Sequence, residues 1–455
     1  MGRARAAFIL TGVAGVAASV LGLVACDGGS PAAPGVDAAP QLVDATTSPV
    51  DGGDAASTDA GDGAIDAGPP SLSAGGFHTC SLRGGEVKCW GSNVFGELGN
   101  GSHLPSVMPV PTVVIGGVTS GVVHGVWHAC GLAGTTAVCW GANSNDELGH
   151  DQARELDAGD TYDAADARAG VWAMRASTSV PAPVTGLDGV VAFSLGSGYS
   201  CALVDAGTVS CWGSDLAGVL GATDGGRTCA PPIGGPCSPT PRAIAGVTGV
   251  SQIAAAEEPA ACALRGSDGT VWCWGNNADG VLGPAADGGS GPVQVQGLAN
   301  VKQLAAGDRH FCALLSDGTV SCWGYGYLGE LGRDAGGCSA FSCPLSPAVV
   351  GGLTSVTQVG CGEGFSCALR SDGTVACWGQ NGYGQLGSAV DAGQSYVPQT
   401  ITGVSGATQM AVGASHVCAL GADASVVCWG GNGSGELGPG TDAGFTKVPV
   451  PVTGL

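Results

Sequence analysis

The chain has 455 residues, 37 of them acidic and 15 basic, for a formal net charge of −22. Its lysines are Lys88, Lys302 and Lys447, and no basic cluster occurs beyond the first few residues, which excludes the phosphate neutralisation on which nucleic-acid binding depends. Twenty cysteines against 5% aromatic content point to a body held by covalent staples as well as by a core.

At the start, Arg3 and Arg5 precede an apolar run that ends in Leu23-Val24-Ala25-Cys26-Asp27. A basic start, a short apolar segment and small residues before a cysteine resemble a bacterial lipoprotein signal, residues 1–25; a plain signal peptide and a membrane anchor are the alternatives. The resemblance implies cleavage before Cys26, lipidation of its sulfur and a mature chain anchored by lipid in the cell envelope, outside the cytoplasm. Which membrane would hold it stays open.

Residues 26–70 carry the lipidated cysteine and then almost only Asp, Ala, Gly, Pro, Ser and Thr. Such a stretch buries too little apolar surface to offset chain entropy, and is expected to be a disordered acidic tether. As a flexible coil it would hold the body about 35–40 Å from the anchor.

From residue 71 onward one phrase recurs: a cysteine, roughly ten residues with a turn in the middle, then Cys-Trp-Gly. The copies end at Trp90, Trp140, Trp212, Trp274, Trp323, Trp378 and Trp429. Between the two cysteines the turn drifts from Gly84-Gly85, through Ser316-Asp317-Gly318, to residues 266–269, yet the cysteines always fall opposite each other in a hairpin. Opposed strand residues sit at distances a disulfide can span. The spacing therefore predicts cross-strand disulfides Cys80–Cys89, Cys130–Cys139, Cys201–Cys211, Cys262–Cys273, Cys312–Cys322, Cys367–Cys377 and Cys418–Cys428. Zinc sites would instead show pairs two to four residues apart.

Each unit adds an apolar strand before the hairpin, a Leu-Gly turn after it, and a Pro-led strand ending in Val-x-Gly-Leu, as at 183–187. Four short strands per unit read as a propeller blade, and seven units as an all-β, seven-bladed ring over 71–455. The repeats fall at about 71–118, 119–187, 188–247, 248–298, 299–353, 354–404 and 405–455. Whether terminal strands share a blade and latch the ring is open. The repeat tryptophans are expected to pack between blades.

Residues 367–387, CALRSDGTVACWGQNGYGQLG, resemble the repeat of the regulator of chromosome condensation family, and degenerate copies cover 71–455. That resemblance implies a seven-bladed propeller of four-stranded blades. The cysteine pairs depart from the family's cytoplasmic and nuclear members and suit an exported form.

Three units carry insertions after the Leu-Gly turn, at 150–179, 222–238 and 333–345. Loops at one topological position share a face, a frequent place for binding. The second holds Cys229 and Cys237 and the third Cys338 and Cys343, each pair expected to form a disulfide. The first offers Tyr162, Trp172 and Met174, residue types favoured at interfaces. Cys361 is left over as a buried, inert thiol.

Histidine stands two residues before the hairpin cysteine at His78, His128, His310 and His416. A hydrogen bond at each strand end is the expected role; His78, His128 and His416 would be the candidates if a metal bound, but none is expected. No HExxH or phosphate-loop motif occurs, and Glu257-Glu258, where other units have Gly and a turn residue, reads as a solvated loop. The expectation is a monomeric, membrane-tethered module without cofactor or catalysis that binds a protein partner through its inserted loops. A carbohydrate or surface-polymer binder and a hydrolase or lyase with an unrecognised site are the alternatives.

Overall fold

The computed structural model describes residues 70–103, 112–113, 117–118, 120–150, 177–221, 227–229, 235–283, 289–334, 344–388 and 390–455. Cys26, Tyr162, Trp172, Met174, Cys338 and Cys343, with the expected signal and tether, lie outside these residues.

Seven antiparallel sheets follow one another along the chain and form a ring, a seven-bladed β-propeller. Strands pair in sequence order within each sheet, so blade 5, for example, runs Val301–Ala306, His310–Leu315, Val320–Tyr325 and Pro344–Val349 from inside to outside. Blade 3 gains a fifth, two-residue strand, Arg227–Thr228, contributed by its insertion. The hydrophobic clusters lie between blades: Leu314, Val320 and Leu331 of blade 5 pack against Val356, Val359 and Trp378 of blade 6.

The hairpins place the two cysteines of each repeat directly opposite one another, as Cys80 faces Cys89 and Cys312 faces Cys322. Seven disulfides span them, with Cα–Cα distances of 4.0–4.1 Å. The two-residue turn works because Gly84 and Gly85 both adopt positive φ, 56° and 79°. The glycine after each tryptophan is fixed by crowding: at Gly91, φ is 108° and a Cβ would stand 2.5 Å from the Phe77 carbonyl oxygen.

Each repeat tryptophan is fully buried, and its indole Nε1 donates to a backbone carbonyl of the preceding blade. Trp140 reaches the Glu97 carbonyl at 2.8 Å, Trp323 that of Val281 at 2.8 Å and Trp429 that of Gln385 at 2.9 Å. The acceptor always precedes the leucine of the Leu-Gly turn. In every blade but the fifth, where Gly326 takes the place, an Asn or Asp side chain holds that turn, as Asn93 Oδ1 accepts from Leu98 N at 3.0 Å and Asp215 Oδ1 from Leu220 N at 2.9 Å.

The ring closes with no exchange of strands, because the first and last sheets are each contiguous in sequence. Trp90 donates to the Glu436 carbonyl at 2.9 Å, the same bond as at every other joint. Gln409 Nε2 donates to the Leu72 carbonyl at 3.1 Å and its Oε1 accepts from Leu72 N at 3.0 Å. Gln252 and Gln358 make the same pair of bonds to Leu304 and Met410 of the next blades.

The Cys229–Cys237 disulfide expected from the sequence is not formed: both are buried thiols. Cys237 stands opposite Arg227, while Cys229 lies beyond Thr228 and donates its amide to Gly235. The two thiols are thus diagonal neighbours that stay within hydrogen-bond contact of each other, and Cys237 Sγ also donates to Asp146 Oδ2 at 3.4 Å.

Candidate functional site at the mouth of the ring

The innermost strands enclose a central space of about 250 Å³ lined by residues of all seven blades. Consecutive strands run in opposite directions, so the loop after the first strand and the loop after the third open on the same face. The three insertions follow third strands and therefore share a face with the loops that rim the channel.

Those rim loops differ sharply around the ring. Blades 1 and 2 contribute Phe77 and Trp127, whose rings stack with centroids 4.8 Å apart, and Phe95 meets Trp127 edge-on at 5.3 Å. Blades 4, 5 and 6 contribute Glu257 and Glu258, Asp308 and Arg309, and Glu363. Backbone bonds hold these loops together: Glu257 N donates to the Gly307 carbonyl at 3.2 Å and Glu258 N to that of Asp308 at 3.0 Å. Four carboxylates are thereby held along one arc of the mouth.

The cation among them is already engaged. Arg309 donates twice to Asp279, at 2.8 and 2.7 Å, and its guanidinium lies 4.2 Å over the Tyr325 ring. Burial, then the charges of Asp308 and Glu363, push Glu257 up to about 8. Burial, then Glu258 and Glu363, push Asp308 up to about 7, against the pull of Arg309. Glu258 and Glu363 are exposed. The solvated-loop reading of Glu257-Glu258 therefore needs correcting for Glu257, whose carboxyl is largely withdrawn from water. The signal for the wider cluster was present in the repeat alignment: Asp308 and Glu363 occupy the place of Gly76, Val126 and Ser197.

Beside this arc lies a pocket of about 340 Å³, lined by Asn145, Tyr199, Ser214, Leu216, Glu257, Glu258 and Asp308, among others. The Tyr199 hydroxyl is turned away from it into bonds with the Ala256 and Ala260 carbonyls, at 2.9 and 2.7 Å.

The strand-end histidines do not converge on a metal. His128 Nε2 bonds Ser200 Oγ at 2.8 Å, His310 bonds Ser366 at 2.8 Å, and His416 bonds Thr79 Oγ1 at 2.7 Å, each on the next blade. His78, which faces Ala129 in the equivalent place, pairs with His124 Nδ1 at 2.7 Å instead. Where the next blade offers Ala261, Phe311 or Val417, the histidine position holds Tyr199, Ala260 or Phe365. Burial holds His128 and His310 down at about 3 and His416 at about 4, so they are neutral bridges. Among the described residues, one group of potential ligands comes within 4.8 Å, His310, Cys312 and Cys361, and its Cys312 sulfur is spent in a disulfide. Cys361 is a buried thiol, pushed up to about 12 chiefly by burial.

A ring of seven such blades, rimmed by variable loops and joined by tryptophan-to-carbonyl bonds, defines a propeller of the chromosome-condensation-regulator type. The RCC1-like domain model matches residues 170–455 and the RCC1 repeat model residues 71–97, and the chain belongs to the RCC1-like domain family. It is 29% identical over 258 residues to the human E3 ubiquitin-protein ligase HERC2, covering 55% of this chain and 5% of that protein. Over 85 residues it is 40% identical to the mouse probable E3 ubiquitin-protein ligase HERC4, covering 18% of this chain and 8% of that one. The chain thus spans under a tenth of the curated relatives it matches. Among solved structures, yeast RCC1 (Prp20) bound to Kap60 superposes with a TM-score of 0.64 at 20% identity, over 81% of this chain and 84% of that one. Human WBSCR16 gives 0.64 at 22% identity, over 81% and 94%. At that identity the likeness speaks for the fold alone.

Proposed function

We propose that this protein is an extracytoplasmic, lipid-anchored RCC1-like propeller that binds a protein partner through the face carrying its inserted loops. The observation that carries this reading is that the aromatic arc and the acidic arc lie on one face, the face toward which the third strands run before each of the three insertions. The opposite face presents repeated hairpin turns whose Asp side chains serve the turn itself, as Asp317 Oδ1 accepts from Thr319 N at 2.9 Å and Oγ1 at 2.7 Å. RCC1-type propellers act largely by binding other proteins, and one solved relative is bound to Kap60. Hairpin disulfides in all seven blades favour an oxidising compartment, and Cys26 in its lipobox supplies the anchor.

Capture from the producing cell's envelope tests this, using the chain beside a version with residues 150–179 replaced by a short turn. A partner retained by the first and lost by the second supports the reading; capture independent of all three insertions defeats it. Loss of lipid labelling in Cys26→Ala tests the anchor.

Surface-polymer binding is the second reading. It is favoured by Tyr327, Tyr383, Tyr396 and Phe445, exposed at 40, 51, 36 and 48% on the same face of blades 5 to 7. Carbohydrate stacks on such rings, and retention of the protein on envelope polysaccharide would favour it.

A further inference from the structure

The pocket formed by blades 2 to 5 is unlike the rest of the surface. Asn145 and Ser214, 8% and 5% exposed, each line it and each hold a polar atom without a hydrogen-bond partner, Asn145 Oδ1 and Ser214 Oγ. Leaving such atoms unpaired when buried is unfavourable, and a bound donor would relieve it. Around them stand Glu257, Glu258 and Asp308, three carboxylates that form no ion pair among the described residues, where Arg309 is bonded to Asp279 and reaches Asp308 only through its charge. Leu216, 44% exposed, Pro259 and the Tyr199 ring supply apolar wall.

We propose that this pocket takes the basic side chain, arginine or lysine, of the protein partner. The lining fits such a group at both ends: carboxylates and acceptors for a guanidinium or ammonium head, apolar wall for the methylene stem. A bare metal ion fits less well. No three carboxylate oxygens of the described residues lie within 4.8 Å of one another, so closing a coordination sphere would require the loops to move, whereas a guanidinium spans separated acceptors. Bringing a cation to Glu257 and Asp308 favours their ionised forms, so binding releases protons and tightens as pH rises through the neutral range. The groups facing those two carboxyls are Glu258, Glu363, Asp279 and Arg309.

The proposal rests on the partner-binding reading but is tested apart from it. An oligo-arginine peptide is titrated by calorimetry into the purified full chain in mild detergent, beside calcium chloride alone. One-to-one binding is expected, weakened about tenfold or more in Glu258→Gln/Asp308→Asn and unchanged in Asp372→Asn on the opposite face. It should also strengthen by about tenfold between about pH 6 and pH 8.5. Thermal melts confirm folding; Glu258→Gln alone, at an exposed position, serves where the double variant is unstable. Equal affinity in the pocket variants, equal loss in Asp372→Asn, or calcium binding without peptide binding would overturn it. Capture of an envelope partner that needs the insertions but survives Glu258→Gln/Asp308→Asn would leave the partner reading standing and sink the pocket.

Discussion

Trp90 and Glu436 stand 346 residues apart, yet the indole Nε1 of the first donates to the backbone carbonyl of the second at 2.9 Å, closing the ring. The bond has six counterparts inside the ring, all at 2.7–2.9 Å. A propeller closed by a shared blade would have one joint built unlike the others; here the seam and the interior joints are chemically the same.

That sameness has a measurable consequence. Trp90→Phe at the seam and Trp323→Phe inside the ring each remove one indole donor and leave a buried carbonyl unpaired, so each is expected to cost about 1–3 kcal/mol. Urea unfolding should give the two values within about 1 kcal/mol of each other; a seam far weaker than the interior would show that closure differs from the other joints.

Thr79→Val removes the hydroxyl that meets His416 at 2.7 Å while keeping the volume. His416 is fully buried and has no charge with which to recruit water, so the variant should lose about 1–3 kcal/mol. The equivalent change at Ser366, which serves both His310 and the Glu330 carbonyl, should cost at least as much by the same measurement.

Acidity acts on the fold through two opposed sets of groups. Glu257 and Glu330, raised to about 8, and Asp308 and Glu147, raised to about 7, bind protons in the folded chain that the unfolded chain releases above about pH 4. Their contribution is therefore present at low pH and is lost as pH rises through 7 to 8. The buried histidines, held near 3, contribute in full above about pH 6.5 and lose it as pH falls towards 3. Between about pH 8.5 and 6.5 the carboxylates act alone, and the melting temperature should rise on acidification. Glu257→Gln should reduce that rise, with Glu330, Glu147 and Asp308 keeping the remainder; an unchanged slope would remove Glu257 from the account.

Cys361 should resist alkylation in the native protein and react only on unfolding, because its thiol is buried and pushed up to about 12. Peptide mass mapping after iodoacetamide treatment, with and without denaturant, checks this. Modification of Cys361 under native conditions would mean that the joint between blades 5 and 6 opens.

Much of this architecture was legible in one chain because a hairpin has a period of two and a turn of countable length. Cys312 and Cys322 must face each other whatever fills the loop, and the Val, Leu and Trp of each unit then fall on faces that other blades cover. What escaped is what crosses between units. No spacing links Trp323 to the Val281 carbonyl, and none says that Glu257, Asp308 and Glu363, each about fifty residues apart, share one arc. For Cys229 and Cys237 the spacing located the contact but not its chemistry: the two side chains meet, as hydrogen-bonded thiols and not as a disulfide.

The strand-end pairs carry one more consequence. Seven hairpins of nearly one sequence could dock in many orders, and each docks by the same tryptophan bond. The pairs tell the neighbours apart: His310 finds a hydroxyl on Ser366 but would meet bare carbon at Val417, and the Phe365 ring would crowd Ser200 while leaving it without its histidine. The joints thus fall into classes, three closed by a histidine and a hydroxyl and the others by different pairs, so that exchange between classes is penalised. Assembly in the wrong order buries a polar group with nothing to hold it, and the ring is proofread by its own joints.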